Sequence, residues 1–320
     1  ETMAPEWLPH VAGFTPAGDR MDLLLHVSNF HHRKSGALEV IHFGTEKDIQ
    51  ELRERSLAVD LFLSGSIFII GLYHLVLFYI RKRDRAPLYF GVFCLLIAFY
   101  GLLSGERYFA QVFPGADWEL RIRLTNLTSF LSVPVFLLFI HSLFPRECKR
   151  PVLYALSIPL GLLSFAVLLT PARVYSHLIP VYHFLTLSAS LYTLYILILA
   201  LYRKREGALI LLVGACVMVL TIVNDVLYDN TIIRTGQFIN LGIFVFIFSQ
   251  SVLLSARFSK ALKTVESQTR ELTGTNLAFQ QEIQMRKEME EALKVSEEKY
   301  RLLIENASDA IFILQDDHIK

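Results

Sequence analysis

Residues 57–80 read LAVDLFLSGSIFIIGLYHLVLFYI and residues 87–104 read PLYFGVFCLLIAFYGLLS. The same pattern returns as far as residues 236–256, GQFINLGIFVFIFSQSVLLSA. A bilayer core of ~30 Å takes about 20 apolar residues per helix, and a soluble fold has no use for so many runs of that length. Seven spans are expected: Leu57–Ile80, Pro87–Ser104, Ile122–Phe144, Val152–Thr170, His177–Tyr202, Gly207–Tyr228 and Gly236–Ala256. At roughly 20 residues each they leave about ten per loop, too few for a further domain inside the stretch. The fold class is a mainly α membrane protein built on a seven-helix bundle.

The loops orient it. Arg81–Arg85 (RKRDR), Pro145–Arg150 (PRECKR) and Arg203–Glu206 (RKRE) hold ten Lys or Arg, whereas the alternate loops hold four: Arg107, Arg121, Arg173 and Arg234. Basic loops stay cytoplasmic, which puts the amino end outside and the carboxyl end inside. Composition agrees, with 53% hydrophobic residues and a net charge of +1. The mean hydropathy is +0.43. Such a balance points away from nucleic acid and toward lipid. Cys94, Cys148 and Cys216 all fall in spans or an inner loop, so no disulfide is expected outside. With neither an initiator Met nor a signal peptide ahead of Glu1, and an apparent strand at Lys320, the sequence reads as the middle of a longer protein.

Residues 1–45 are not membrane. Met21–Val27 and Ala37–Phe43 are strand-length apolar runs around the polar connection His31–Gly36, expected to be the end of an extracytoplasmic β-sandwich. The His31–Lys34 cluster reads as a solvated loop or as a metal or anion site. Residues 46–56 (EKDIQELRERS) form a charged juxtamembrane helix.

Ionisable groups in lipid are costly and usually face an interior. Asp60, Glu106, Arg107, Asn126, His183, Asn224, Asp225, Arg234 and Asn240 all fall in the outer half, while the inner half has His74, His141 and Gln250. Two readings stay open. The outer groups line a vestibule, in which Asp225 pairs with Arg107 or Arg234, and which holds a ligand or receives the outer domain. Alternatively they sit at the interface and reach water. Pro134 lies inside the third span and is the candidate hinge, since proline removes a helix hydrogen bond.

After Ala256 the composition flips to charged and helical. Leu262, Val265, Thr269, Leu272, Asn276, Phe279 and Ile283 follow alternating three- and four-residue steps, a coiled-coil seam. The register fails at Arg286 and Glu290 and resumes in another phase with Met289, Leu293, Ser296 and Tyr300. So polar a helix is expected to pair with a second copy as a parallel dimer across 257–300.

Residues 27–45 (VSNFHHRKSGALEVIHFGT), Gly71–His74 (GLYH) with RKRDR, and Pro87–Gly91 (PLYFG) resemble bacterial seven-transmembrane receptors with diverse intracellular signalling modules, over roughly residues 20–256. The resemblance implies a jelly-roll-like outer domain that takes a carbohydrate or other small molecule. It also implies a cytoplasmic output enzyme. Residues 301–320, led by YRLLIENASDAIFIL from Tyr300, resemble the start of a PAS domain, with Ala310–Leu314 as its first strand. The expected parent is a sensor histidine kinase in the bacterial inner membrane, using ATP and Mg in the missing module and passing phosphate to a response regulator. A diguanylate cyclase is the alternative output, and a transporter is the rival class. No catalytic residue, cofactor or metal site is expected within these residues: they contain no phosphate-binding glycine loop, no GxSxG and no GGDEF run.

Overall fold

The computed structural model describes residues 8, 9, 11–15, 41–80, 82, 84–229, 232, 233, 235, 238–306, 314, 315, 318 and 319. In chain order the helices are α1 (Glu46–Ile80), α2 (Ala86–Leu103), α3 (Tyr108–Val112), α4 (Trp118–Leu143), α5 (Arg150–Leu169), α6 (Ala172–Tyr175), a short 3-10 turn Ser176–Leu178, α7 (Ile179–Tyr202), α8 (Ala208–Asp229) and α9 (Ile239–Glu305). Two compact units result, Glu1–Ser255 and Ala256–Lys320.

Local chemistry sets the helix starts. Thr45 Oγ1 accepts the Asp48 backbone N–H at 3.2 Å and donates to the Asp48 carboxylate at 2.6 Å, a reciprocal cap that also places acid at the positive helix end. The Ala86 N–H is taken by Asp84 Oδ1 at 3.0 Å. Proline stands in the first turn of α2, α5 and α7, where its missing N–H costs nothing. The charged segment 46–56 and the first span are one helix, not two, because nothing in ELRERSLAVD breaks the ladder. Equally, α4 runs on through Pro134.

In the first unit α1 packs on α2, α2 on α4 and α4 on α5, with α7 against α4, α5 and α8. Small residues mark the closest approaches. A Cβ on Gly71 would lie 3.1 Å from the Gly91 carbonyl oxygen, and one on Gly91 would lie 2.9 Å from Leu75 Cδ2. Further along the same antiparallel pair, Gly101 abuts Ser64. On the other side of the bundle Gly214 abuts Ser249 and Gly242 abuts Thr221, pairing α8 with the start of α9. Helices in lipid associate through such close backbone contact, since burying apolar surface gains little there.

Outward the helices are apolar. Phe62 (68%), Ile69 (67%), Leu162 (65%) and Phe184 (69%) stand exposed at mid-helix, a belt that suits hydrocarbon and not water. Among the described residues, six helices are long and apolar enough to cross a membrane; α8 is apolar over the shorter Ala208–Asn224. Inside, one core joins Phe90, Phe139, Ile196, Leu211 and Ile247, and a second joins Phe130, Leu160, Tyr175 and Tyr182.

In the second unit α9 exposes Leu262, Val265, Leu272, Phe279, Ile283 and Leu293, each at least half open to solvent. Leu314–Gln315 and His318–Ile319 form a two-residue antiparallel pair, Leu314 opposite Ile319. The strands expected at 21–27 and 37–43, and the His31–Lys34 cluster, lie outside the described residues, except that 41–43 form no strand.

Candidate functional site

A cavity of about 400 Å³ opens at the end of the bundle away from the basic loops, a volume in the range of small-molecule sites. Four helices build most of its wall, and Leu8 of the amino-terminal segment lines it too. Tyr100 and Leu103 come from α2, Phe109 from α3, and Ile179, Tyr182 and His183 from α7. The largest share is from α4: Trp118, Arg121, Ile122, Thr125, Asn126, Ser129 and Phe130, successive positions three and four apart on one helix face. Arg107 lines it from the α2–α3 connection, where its backbone is left-handed (φ +54°).

The wall is braced from within. Phe130 and Tyr182 stack with ring centroids 4.0 Å apart. The Ser129 and Tyr182 hydroxyls bond at 2.8 Å. Asn126 Nδ2 donates to the Ile122 carbonyl at 2.9 Å, and Thr125 Oγ1 to that of Arg121 at 2.9 Å. Beside the cavity, Arg123 holds Glu119 at 2.8 Å, and Glu119 also accepts the Ala172 N–H at 3.3 Å. This fastens the α5–α6 turn to α4.

Of the outer groups singled out in the sequence, Arg107, Asn126 and His183 line this cavity. Asp60 and Asn240 form a separate knot: Asn240 Nδ2 donates to Asp60 Oδ1 at 2.6 Å, with a further hydrogen bond from the Glu106 backbone. The Glu106 carboxylate faces Arg53 at 3.5 Å. Asn224 accepts from the Thr235 hydroxyl at 2.8 Å. Arg234 and the side chain of Asp225 lie outside the described residues, and with them the pairing expected of Asp225 with Arg107 or Arg234. In the other half, His74 is fully buried, its Nδ1 2.8 Å from the Ile70 carbonyl and its ring edge-on to Phe90.

Sequence reasoning passed over Trp118, Arg121, Thr125, Ser129 and Tyr182. The signal was there in the polar stripe of α4, which an all-lipid-facing helix would lack. It also passed over the opposite end. Glu147, 4% exposed, accepts from Arg205 Nε at 2.8 Å and from Arg203 Nη1 at 3.4 Å, tying loop 145–150 to loop 203–206. Burial pushes the Glu147 carboxyl up, but the hydrogen bond and charge of Arg205, with the hydrogen bond of Arg203, prevail and hold it below the usual carboxylate range. Next to it the Lys149 N–H donates to the Tyr192 hydroxyl at 2.9 Å. Burial pushes the Cys148 thiol up, away from reactivity. Among the described residues no group of His, Cys, Asp and Glu is arranged to hold a metal ion.

A family model described as "7TM diverse intracellular signalling" matches residues 56–257, more than half of the chain. No curated protein and no solved structure matched.

Proposed function

We propose, from the premise that the chain belongs to the 7TM diverse intracellular signalling family, that it is the sensing and signal-transmitting part of a bacterial receptor. In this proposal α1, α2, α4, α5, α7, α8 and the start of α9 make seven spans of the inner membrane. The amino end is outside, and α9 emerges in the cytoplasm. A stimulus outside shifts the packing of the helices, with Pro134 as the hinge of α4. The shift then passes along α9 to a PAS module and a histidine kinase, which would use ATP and Mg and hand phosphate to a response regulator.

The observation that carries this proposal is that the matched region ends at residue 257, inside a helix that continues to Glu305. A transmitter needs such continuity; a transporter has no use for a polar extension of nearly fifty residues. The exposed apolar seam supports a parallel homodimer, since each of its side chains would be covered by its own counterpart. A stimulus can drive the change only by favouring one packing over the other.

Cysteine crosslinking in membranes tests it. Leu272→Cys and Phe279→Cys are expected to form disulfide dimers readily, Thr275→Cys at least several-fold less, with stimulus altering the ratio. Equal crosslinking at all three, or solute flux by the chain in proteoliposomes, would contradict the proposal.

A further inference from the structure

Glu147 gathers charge as well as fastening two loops. Loop 145–150 and turn 203–206 carry six Lys or Arg and two acids, Glu147 and Glu206. Glu147 is spent on Arg205 at 2.8 Å and on Arg203 at 3.4 Å. Arg146, Lys149, Arg150 and Lys204 stand exposed beside it in the same two segments, and none of these four side chains makes an ion pair among the described residues. The bonds to Glu147 thus bring cations from distant parts of the chain to one place.

The backbone there is fixed. The Lys149 N–H donates to the Tyr192 hydroxyl at 2.9 Å. At the end of α7 the Lys204 N–H donates to the Leu201 carbonyl and the Arg205 N–H to that of Ala200, both at 2.9 Å. This pair of bonds closes the helix with Lys204 in a left-handed conformation, φ +53°. Glycine is the usual residue at that place in a helix end, because a Cβ is unfavourable there. A lysine kept where glycine costs less points to a use for its side chain.

The flanks suit lipid. Tyr154, one turn into α5, and Tyr202, the last residue of α7, are exposed, as is common at the headgroup layer. Farther along, Ile158 and Leu162 on α5 and Leu191 and Ile198 on α7 are exposed too. An acidic peptide or a nucleic acid would match the cations alone. A phospholipid matches both features, its phosphate meeting the cations and its acyl chains the helix sides.

We infer that the two loops gathered by Glu147 hold the headgroup of an anionic phospholipid, with Arg150 and Lys204 supplying charge from one loop each. The inference needs the bundle to stand in lipid and does not depend on the relay proposed above.

The full chain, purified in detergent, is titrated with phosphatidylglycerol and with phosphatidylcholine, and bound lipid is counted by native mass spectrometry. One phosphatidylglycerol per chain is expected to bind at least tenfold more tightly than phosphatidylcholine. Arg150→Gln with Lys204→Gln should weaken it at least tenfold. Lys82→Gln with Arg85→Gln, which removes as much charge from the other basic loop, should change it less than twofold. Lys204→Gly suits the backbone better, so it should keep or raise the melting temperature while weakening the lipid several-fold, which separates binding from folding. Equal affinity for the two lipids, or equal loss in the two double variants, would overturn the inference and leave only general attraction of basic loops to a charged surface. Displacement by millimolar inorganic phosphate would also overturn it, in favour of a soluble anion. Lipid held normally by a chain whose α9 fails the crosslinking test would sink the relay alone, and the opposite pair of results would sink the lipid site alone.

Discussion

Glu147 shows how much one side chain can decide. It sits among the arginines of two loops that, by sequence, differ only in being basic, and it is the acid that lets those loops meet. Replacing it with Gln leaves Arg205 and Arg203 facing each other without a counter-charge. Both arginines are partly open to water, so the expected loss is about 1–3 kcal/mol, less than for a fully buried pair. The pH dependence has a definite sign. Because the folded-state carboxyl is held low, its stabilising contribution is complete above the ordinary glutamate value and is lost as pH falls through the depressed one. Thermal melting from neutral pH to below about 4 should therefore show wild type and Glu147→Gln converging. A gap that stays constant would show that the charge is not what matters. Nothing in PRECKR says that Glu147 is buried; the residue type was legible and its partner was not, since pairing across 56 residues depends on how α5 and α7 pack.

Among the elements, the pairing of α1 with α2 is the clearest case of sequence dictating geometry. Gly71 and Gly91, both within the GLYH and PLYFG motifs, touch each other, so the residues that carried the family resemblance are those that set the helix spacing. Gly91→Val would push against Leu75 and the Gly71 carbonyl and is expected to cost about 1–3 kcal/mol, read as a lower melting temperature in nanodiscs. An unchanged melting temperature would mean that the helices separate freely. The length of the apolar runs made both ends of α2, α4, α5, α7 and α8 legible to within a few residues, because about 20 apolar residues leave little choice in lipid; α1 begins ahead of its apolar run, at Glu46, and α9 continues beyond its own to Glu305. The short α3 and α6 were not legible, being set by loop packing and not by pattern. The polar stripe of α4 was legible as amphipathicity, yet the cavity it lines needed α2 and α7 to close it.

For the whole molecule, the described residues give a helical membrane bundle with a cavity at one end and the buried Glu147, held by two half-exposed arginines, at the other, and a helix that runs past the matched family region. Of the outer polar groups, read from the sequence either as a vestibule or as interface residues that reach water, Arg107, Asn126 and His183 line one cavity, and Asp60 and Asn240 bond to each other. Charge alone marks depth in the membrane, but it does not say which groups at one depth share a space. The central claim is that the chain carries a signal from one side of the membrane to the other, and its sidedness is the most direct test. In spheroplasts, with Cys94, Cys148 and Cys216 replaced, Thr15→Cys should react with a membrane-impermeant maleimide at once, and Ser267→Cys only after permeabilisation. Labelling of both from the same side would contradict the account.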